Sequence, residues 1–292
     1  MKPFYYTLLL AVLIPCVLQG EPIRKNSVGT EDITVITLKL GGYDKEQRWE
    51  DKVPGIAEMV KQEMPAVIGI QNCSTGKVED LDMRLDGYDS FGDSTDDGEG
   101  KGRINAIYYR KDCLKLVKSG TFWFSDTPDT PGTQFDGASQ FTNATWGIFS
   151  IKGSGRKFFF LTTDLDVSAE KILPTQAKLI LTKMEELAHG IPSIVCGDFR
   201  STQAGMSKIK EGNTNPCLVM VDKMIDGRRV ALCGDEGKSI NHFGKRRGNV
   251  KDFIFYTDHF ECLIYDILTK EYDGVKYLSI HNPIKDVLRF KK

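Results

Sequence analysis

Residues Gly120–Pro131 read GTFWFSDTPDTP. Three consecutive aromatic residues, Phe122, Trp123 and Phe124, close a strand signal that runs over 114–124, and a Ser/Asp/Thr/Pro segment then stops it. Working outward, further strand signals lie at 33–38 (ITVITL), Ala66–Ile70 (AVIGI), 104–109 (INAIYY), 145–151, 158–164, 192–196, 252–256, 260–268 and 275–279. Helical spacing appears over 50–63, with Val53, Ile56, Met59 and Val60 on one face and Pro54 in the first turn. It appears again over 168–188, where Pro174 falls early, and a short helix is expected over 204–210. Residues 92–102 form a Gly/Asp loop. Strands recur in both halves with helices between them, and no Pro/Ser-rich linker, repeat or low-complexity tract divides the chain. This predicts one α/β domain over residues 21–292.

The first twenty residues carry a separate signal. Lys2 is followed by an apolar run from Phe4 to Leu18, interrupted by Pro15 and ending at Gly20. A basic start, a short apolar centre and a small final residue predict a secretory signal peptide cut after Gly20. No later stretch is long and apolar enough to span a bilayer. The expected location is therefore extracellular.

The chain of 292 residues carries 39 Lys+Arg against 40 Asp+Glu, so bulk charge gives no argument for nucleic-acid binding. A hydrophobic share of 40% with 27% charged residues excludes a disordered or disulfide-dominated chain. Beyond the leader six cysteines remain, and an oxidising compartment permits disulfides. Cys217 with Cys233, and Cys73 with Cys113, are the expected pairs; Cys196, inside an apolar strand, reads as a buried free thiol. No CxxC or Cys/His cluster supports zinc. Two glycosylation sequons begin at Asn72 and Asn143.

Taken together, several segments resemble the endonuclease/exonuclease/phosphatase (DNase I-like) family. The most specific is Gly120–Pro131, similar to a hallmark of one metal-dependent hydrolase branch. Ile104–Arg110, Thr145-Trp146, Leu161–Asp166 (LTTDLD), Gly197-Asp198-Phe199, Asp252-Phe253-Ile254 and Ser279–Pro283 (SIHNP) follow in the family's order, the last standing where the family ends its final catalytic strand. The match runs from about Ile33 to Phe290. The resemblance implies a four-layer α/β/β/α sandwich, two packed sheets with helices outside each. It also implies metal-assisted phosphoester hydrolysis, in which carboxylates hold Mg²⁺ and an Asp/His pair positions water.

Carried over position by position, most of that polar set is replaced. The Asn that ends the family's first strand is Lys39 here, and the metal-binding Glu of the second is Asn72. The Glu before the third strand is Arg103, the Arg before Thr-Trp is Thr142, and the His of Thr-His-Leu-Asp is Asp164. Gly-Asp-Phe-Asn keeps Asp198 but has Arg200 in place of Asn, and Ser-Asp-His keeps His281 but has Ile280 in place of Asp. Asp166 and Asp252 also survive as relics. Around these positions Trp123, Asp126, Pro128, Thr145, Trp146, Gly197, Phe199 and Pro283 remain. Packing positions kept and chemical positions changed imply a fold that has given up its chemistry.

Three acids, at positions 72, 103 and 280, are gone, and three cations, Lys39, Arg103 and Arg200, are added. Lys39 or Arg200 is expected to pair with Asp198 where the metal stands in the family, giving a metal-free ion-pair cluster with no cofactor. Lys39, Arg103 and Arg200 also offer a pocket for an anionic ligand. The resulting reading is a secreted, inactive binding or extracellular structural protein with an unknown extracellular partner. One alternative is a Mg²⁺-dependent nuclease or phosphodiesterase rebuilt with Asp96, Asp97 or Glu99. Another is a small-ligand or cofactor carrier using Cys73 and His281. The basic stretch Lys238–Lys251, with Lys245, Arg246 and Arg247, reads as a solvated loop, with contact to an acidic partner or polyanion as the alternative.

Overall fold

The computed structural model describes residues 32–41, 47–166, 170–202, 215–246 and 248–292. The expected leader, the helix over 204–210 and Arg247 lie outside the described residues. Twelve strands are described in two sheets of six. The first sheet runs, edge to edge, β11 (Phe260–Ile267), β12 (Ile284–Phe290), β1 (Ile33–Lys39), β2 (Val67–Cys73), β4 (Ile104–Arg110) and β3 (Tyr88–Phe91). The second runs β5 (Leu114–Trp123), β6 (Asn143–Ile151), β7 (Lys157–Asp164), β8 (Ser193–Asp198), β10 (Asp252–Tyr256) and β9 (Ile225–Asp226).

Alternation along each strand decides what each face buries. In the first sheet Val35 and Val67 enter the core between the sheets, which the second sheet fills with Phe149, Phe158 and Phe160. The intervening Ile36, Leu38, Ile68 and Ile70 face outward under α1 (Val53–Glu63) and α2 (Thr75–Arg84), meeting Ile56, Met59, Val60 and Leu81. On the far side α3 (Leu173–Ala188) and α4 (Pro216–Val221) pack Ala177, Ile180, Met184 and Met220 against the second sheet. The result is the expected α/β/β/α sandwich. Pro54 and Pro174 both sit in first helical turns, where a missing N–H costs nothing. At the centre the sheets approach closely. A Cβ on Gly69 would clash with Cys196 and Thr162, and Gln71 Nε2 donates across the gap to Thr162 Oγ1 (2.8 Å) while also donating to Thr37 Oγ1 of its own sheet (2.9 Å).

Two parallel pairs place the site. β1 and β2 are parallel, joined across α1; β7 and β8 are parallel, joined across α3. Their registers set Lys39 beside Gln71 and Asp164 beside Asp198, all at carboxyl ends. β10 runs antiparallel to β8 and puts Asp252 opposite Asp198. Strand ends of both sheets thus meet at one edge of the sandwich, where ligands of open α/β sheets bind.

Some expectations are corrected. Residues 275–279 form no strand: Val275 bridges only Tyr272, and Val275 and Leu278 plug the outer face beside Gly55 of α1. The SIHNP segment does not end a strand but precedes the last one, β12. The helix expected from 168 begins at Leu173, after a 3-10 turn at Glu170–Ile172. Neither expected disulfide forms, and all six described cysteines are free thiols. Cys73 ends β2 while Cys113 lies past the end of β4 that pairs with the start of β2, so roughly 20 Å of strand separates them. Cys217 is buried within α4 and Cys233 is exposed. No helix among the described residues is long and apolar enough to cross a membrane.

Two buried acids have opposite fates. Glu63, at the end of α1, is pushed up by burial, yet Lys270 (2.7 Å) and Lys285 (2.9 Å) overcome this and hold it at about 2. Asp286 on β12 is fully enclosed, and neither carboxyl oxygen finds a hydrogen-bond partner among the described residues. Burial first, then the neighbouring Asp226 carboxylate, push it well above the usual range, with only the weak Cys262 thiol beside it. A group with a raised folded-state pKa contributes stability that is complete below its ordinary value and is lost as pH rises through the folded value. The Asp286→Asn variant, which cannot ionise, should therefore lose less stability than the parent between acidic buffer and about pH 8 in urea unfolding. Parallel profiles for the two proteins would contradict this assignment.

Candidate functional site

The strand ends assemble a buried cluster of alternating charge. Lys39 is 4% exposed, and its Nζ lies 2.6 Å from Asp198 Oδ2 and 3.3 Å from Asp164 Oδ1. Arg200 closes the other side, its guanidinium 2.7 Å from Asp164 Oδ1 and 3.4 Å from Asp198 Oδ2. Its backbone N–H donates to Asp198 Oδ1 at 2.8 Å, and its Nε donates to the Leu165 carbonyl at 2.9 Å. Arg200 adopts φ 59°, a left-handed conformation rare outside glycine and asparagine, which turns the chain back over Asp198. Asn72, also left-handed at φ 57°, donates Nδ2 to Asp164 Oδ2 at 3.1 Å. Lys39 is positioned in turn by Ser279, whose hydroxyl donates to its carbonyl.

The electrostatics follow from this geometry. Burial pulls the Lys39 ammonium down, but Asp164 and Asp198 more than reverse it, so it is held charged above its usual value. Burial pushes Asp198 up, and Lys39, Arg200 and His281 pull it below the usual carboxylate range. Both members are ionised in a site closed to water. Coulomb attraction in such surroundings is strong, and so is the penalty for leaving either charge alone.

Beside this cluster stands a dyad. His281 Nδ1 is 2.9 Å from the Asp252 carboxylate, and Ser239 Oγ donates to Asp252 Oδ2 at 2.6 Å. Burial lowers the His281 pKa, but Asp252 and then Asp198 outweigh it and raise the imidazole above its ordinary value. Asp198, Asp252 and His281 each present one ligand atom within 4.8 Å of the others, so this trio is where a metal would be held. The surroundings do not fit one. Asp198 Oδ2 already takes the Lys39 ammonium, Oδ1 takes the Arg200 N–H, and Asp252 is shared by His281 and Ser239. Mg²⁺ prefers an octahedral shell of oxygen. Here it would meet two fixed cations, each repelling a unit charge by about 4 kcal/mol at 4 Å and an effective dielectric near 20, and a dication by twice that.

The other sequence positions divide. Both Lys39 and Arg200, offered as alternatives for Asp198, reach it. Arg103 stays exposed and away from the cluster, on the wall of an adjoining cleft. Thr142 is buried and accepts from Gln176 Nε2 at 3.1 Å. Ile280 contributes its carbonyl, which accepts the Asn241 and His242 N–H groups. Asp166 anchors the loop at Ser139 and Gln140 by accepting their N–H groups (2.7 and 3.3 Å). Asp97 is consumed within its own loop by Ser94, Glu99 and Lys101. Cys73 lies on the outer face, its thiol pushed up by burial to about 12, so it does not front the cleft. Asn143 is fully buried and donates Nδ2 to the Asp93 carbonyl at 2.9 Å, so the folded chain presents no glycan acceptor there. At Asn72 the amide nitrogen that would carry a glycan is the one held by Asp164.

Three supporting residues escaped the sequence reading. Ser239 is an isolated serine in a polar loop with no spacing signal, and Ser279 opens the SIHNP motif, which gives no sign of its bond to the Lys39 carbonyl. Asn105, inside the strand INAIYYR, is a polar residue in an apolar run, which is a readable sign. It accepts the Asn72 N–H at 3.2 Å and donates to Asn143 at 2.9 Å.

No family model matches the sequence. An uncharacterized protein of Acanthamoeba polyphaga mimivirus, L388, is 27% identical over 251 residues, covering 81% of this chain and 91% of the viral protein. An endonuclease/exonuclease/phosphatase structure from Bacteroides vulgatus superposes with a TM-score of 0.81 at 24% identity, covering 89% of this chain and 99% of its own. The Bacteroides thetaiotaomicron mannosyl-6-phosphatase Bt3783 superposes with a TM-score of 0.79 at 29% identity, covering 88% and 100%.

Deleting one partner tests the cluster. Lys39→Ala leaves Asp198 charged and enclosed and should cost about 3–5 kcal/mol in urea unfolding. Lys39→Met combined with Asp198→Leu, which removes both charges, should recover most of that loss. A Lys39→Ala cost under about 1 kcal/mol, the level of an exposed pair, would contradict the buried ion pair.

Proposed function

The chain has the α/β/β/α fold of the endonuclease/exonuclease/phosphatase (DNase I-like) proteins, and from that premise we propose that it is an exported binding protein without metal-dependent hydrolytic activity. The observation that carries this reading is the Lys39 ammonium, 2.6 Å from Asp198. In the family pattern Asp198 belongs to the catalytic set, and a buried lysine on it supplies internally the positive charge that a metal would bring. Arg200 doubles that charge, and Asn72 replaces the ligand carboxylate with an amide already donated to Asp164. Export rests on the apolar leader that ends at Gly20.

The chemistry left to these residues is limited. The Asp252 carboxylate orients His281 through Nδ1 and favours its protonated form, so His281 is poised to donate a proton more than to accept one. Asp198, held ionised by two cations, is a poor base. A phosphoester brought to this edge would find no residue set to generate hydroxide.

One observation favours a second reading. The trio Asp198, Asp252 and His281 remains within 4.8 Å, and a hydrolase could run on it if Lys39 swung aside for a metal. A neighbour at 29% identity carries the name mannosyl-6-phosphatase, so mannose 6-phosphate belongs among the trial substrates. The deciding assay incubates the purified protein with bis(p-nitrophenyl) phosphate, DNA and mannose 6-phosphate, with Mg²⁺ or Mn²⁺ and an EDTA control. No turnover above the Asp198→Ala control is expected. Metal-dependent turnover that the Asp198→Ala variant lacks would overturn the binding reading and establish the second.

A further inference from the structure

Next to the ion-pair cluster lies a cleft of about 610 Å³, within the roughly 300–1,000 Å³ typical of small-molecule sites. Asn72 and Asp164 form its floor. One wall is the loop between β3 and β4, the other the loop between β5 and β6. The floor is already satisfied: Asp164 is saturated by Lys39, Arg200 and Asn72, so neither cation of the cluster is free for a ligand. What remains for a ligand is on the walls. From the first loop come the Arg103 guanidinium and the Asp96 carboxylate, whose Oδ1 already accepts the Thr95 hydroxyl, one charge of each sign; from the second come the side-chain amides of Gln140 and of Gln134, the latter's Nε2 3.5 Å from the Ala138 carbonyl. The Phe141 ring, 37% exposed, completes the second wall.

We propose that this cleft binds an uncharged, polyhydroxylated ligand, a saccharide of one or two rings, without hydrolysing it. The inference deepens the binding reading of the site and rests on it. The charge balance is the first argument. A phosphate or other strong anion selects sites with clustered, unpaired cations. This cleft offers one guanidinium against one carboxylate, so the expected anion pocket of Lys39, Arg103 and Arg200 does not form as a unit. The second argument is the mix of donors and acceptors. A sugar hydroxyl both donates and accepts, and carboxylate, guanidinium and planar amides together match that pattern, several of them bidentately. The third is Phe141. An aromatic ring 37% exposed on the wall of an otherwise polar cleft keeps apolar surface in water, and the apolar C–H face of a pyranose would cover it.

The walls are also held ready. Asp97 ties its loop through Ser94, Glu99 and Lys101, and Thr95 Oγ1 accepts the Arg103 N–H at 3.0 Å. Behind it, Trp123 Nε1 donates to the Thr95 carbonyl at 2.7 Å. The opposite loop is pinned where Asp166 takes the N–H groups of Ser139 and Gln140. Pre-formed walls lower the ordering cost of binding a small, weakly hydrophobic ligand.

The test is a printed array of microbial and animal glycans probed with the labelled full chain, followed by calorimetric titration of the best neutral glycan and of inorganic phosphate. At least one neutral glycan should bind with a Kd on the order of 1 mM or tighter, and phosphate should not. Phe141→Ala and Gln140→Ala change exposed residues and should fold as the parent does by circular dichroism. Phe141→Ala should weaken glycan binding at least about tenfold. No neutral glycan bound on the array, binding untouched by Phe141→Ala, or binding of phosphate alone would each overturn the proposal. Metal-dependent phosphoester turnover would instead overturn the binding reading beneath it, whatever the glycans do.

Discussion

The ammonium of Lys39 against the carboxylate of Asp198 is the constraint on which the strand-end architecture depends. The two residues belong to different sheets, so the pair is both an electrostatic contact and a clamp across the sandwich. Asp198 is fully enclosed, and an enclosed carboxylate must be neutralised, paired or given a metal. The pair answers this within the chain. Once Lys39 occupies that place the rest follows in order. Arg200, left-handed over Asp198, is held there by its N–H on the carboxylate, its Nε on the Leu165 carbonyl and its guanidinium on Asp164. Asp164, where a histidine stands in the family pattern, becomes useful as the second anion between two cations. Asn72 fits because an amide can donate to Asp164, where a glutamate would repel it. Lys39, Asn72, Asp164 and Arg200 thus form one charge-compensated unit around Asp198.

That unit leaves the neighbouring dyad and cleft with separate roles. Asp252, His281 and Ser239 tie β10 to the segment before β12 and keep the second sheet's strand ends in register with the first. The cleft beyond Asn72 carries one guanidinium, Arg103, and the Asp96 carboxylate on the same wall. A buried pair of this kind is weak evidence for net stability, since apolar residues of similar volume can do as well. Its value lies in leaving Lys39, Arg200, Asp164 and Asp198 neutral overall as a group.

Much of this was legible in the sequence where the physics is local. The strand runs at 104–109 and 252–256 are dense in β-branched or aromatic residues, and the structure places strands there. Val53, Ile56, Met59 and Val60 announce the buried face of α1 by spacing alone. The strand β12 was hidden because Lys285 and Asp286 interrupt its apolar alternation; both are buried, one by pairing with Glu63, the other at the cost of a raised pKa. The reverse error occurred at 275–279, where Val275 and Leu278 are apolar because they plug a helix face. The helix α2 escaped notice because Leu81 is its one buried residue. At the site, residue identities at 39, 72, 164 and 200 stood out only against a family pattern. Their mutual contacts come from four strand ends and could not be read from spacing. Arg103 shows the limit: its sequence position suggested the cluster, while the loop that carries it faces the cleft.

The most direct measurement is anomalous diffraction from crystals of the protein soaked in Mn²⁺. The account predicts no manganese peak among Asp198, Asp252 and His281, with Lys39 Nζ seated on Asp198. A manganese peak at that trio, with Lys39 turned away from Asp198, would contradict it.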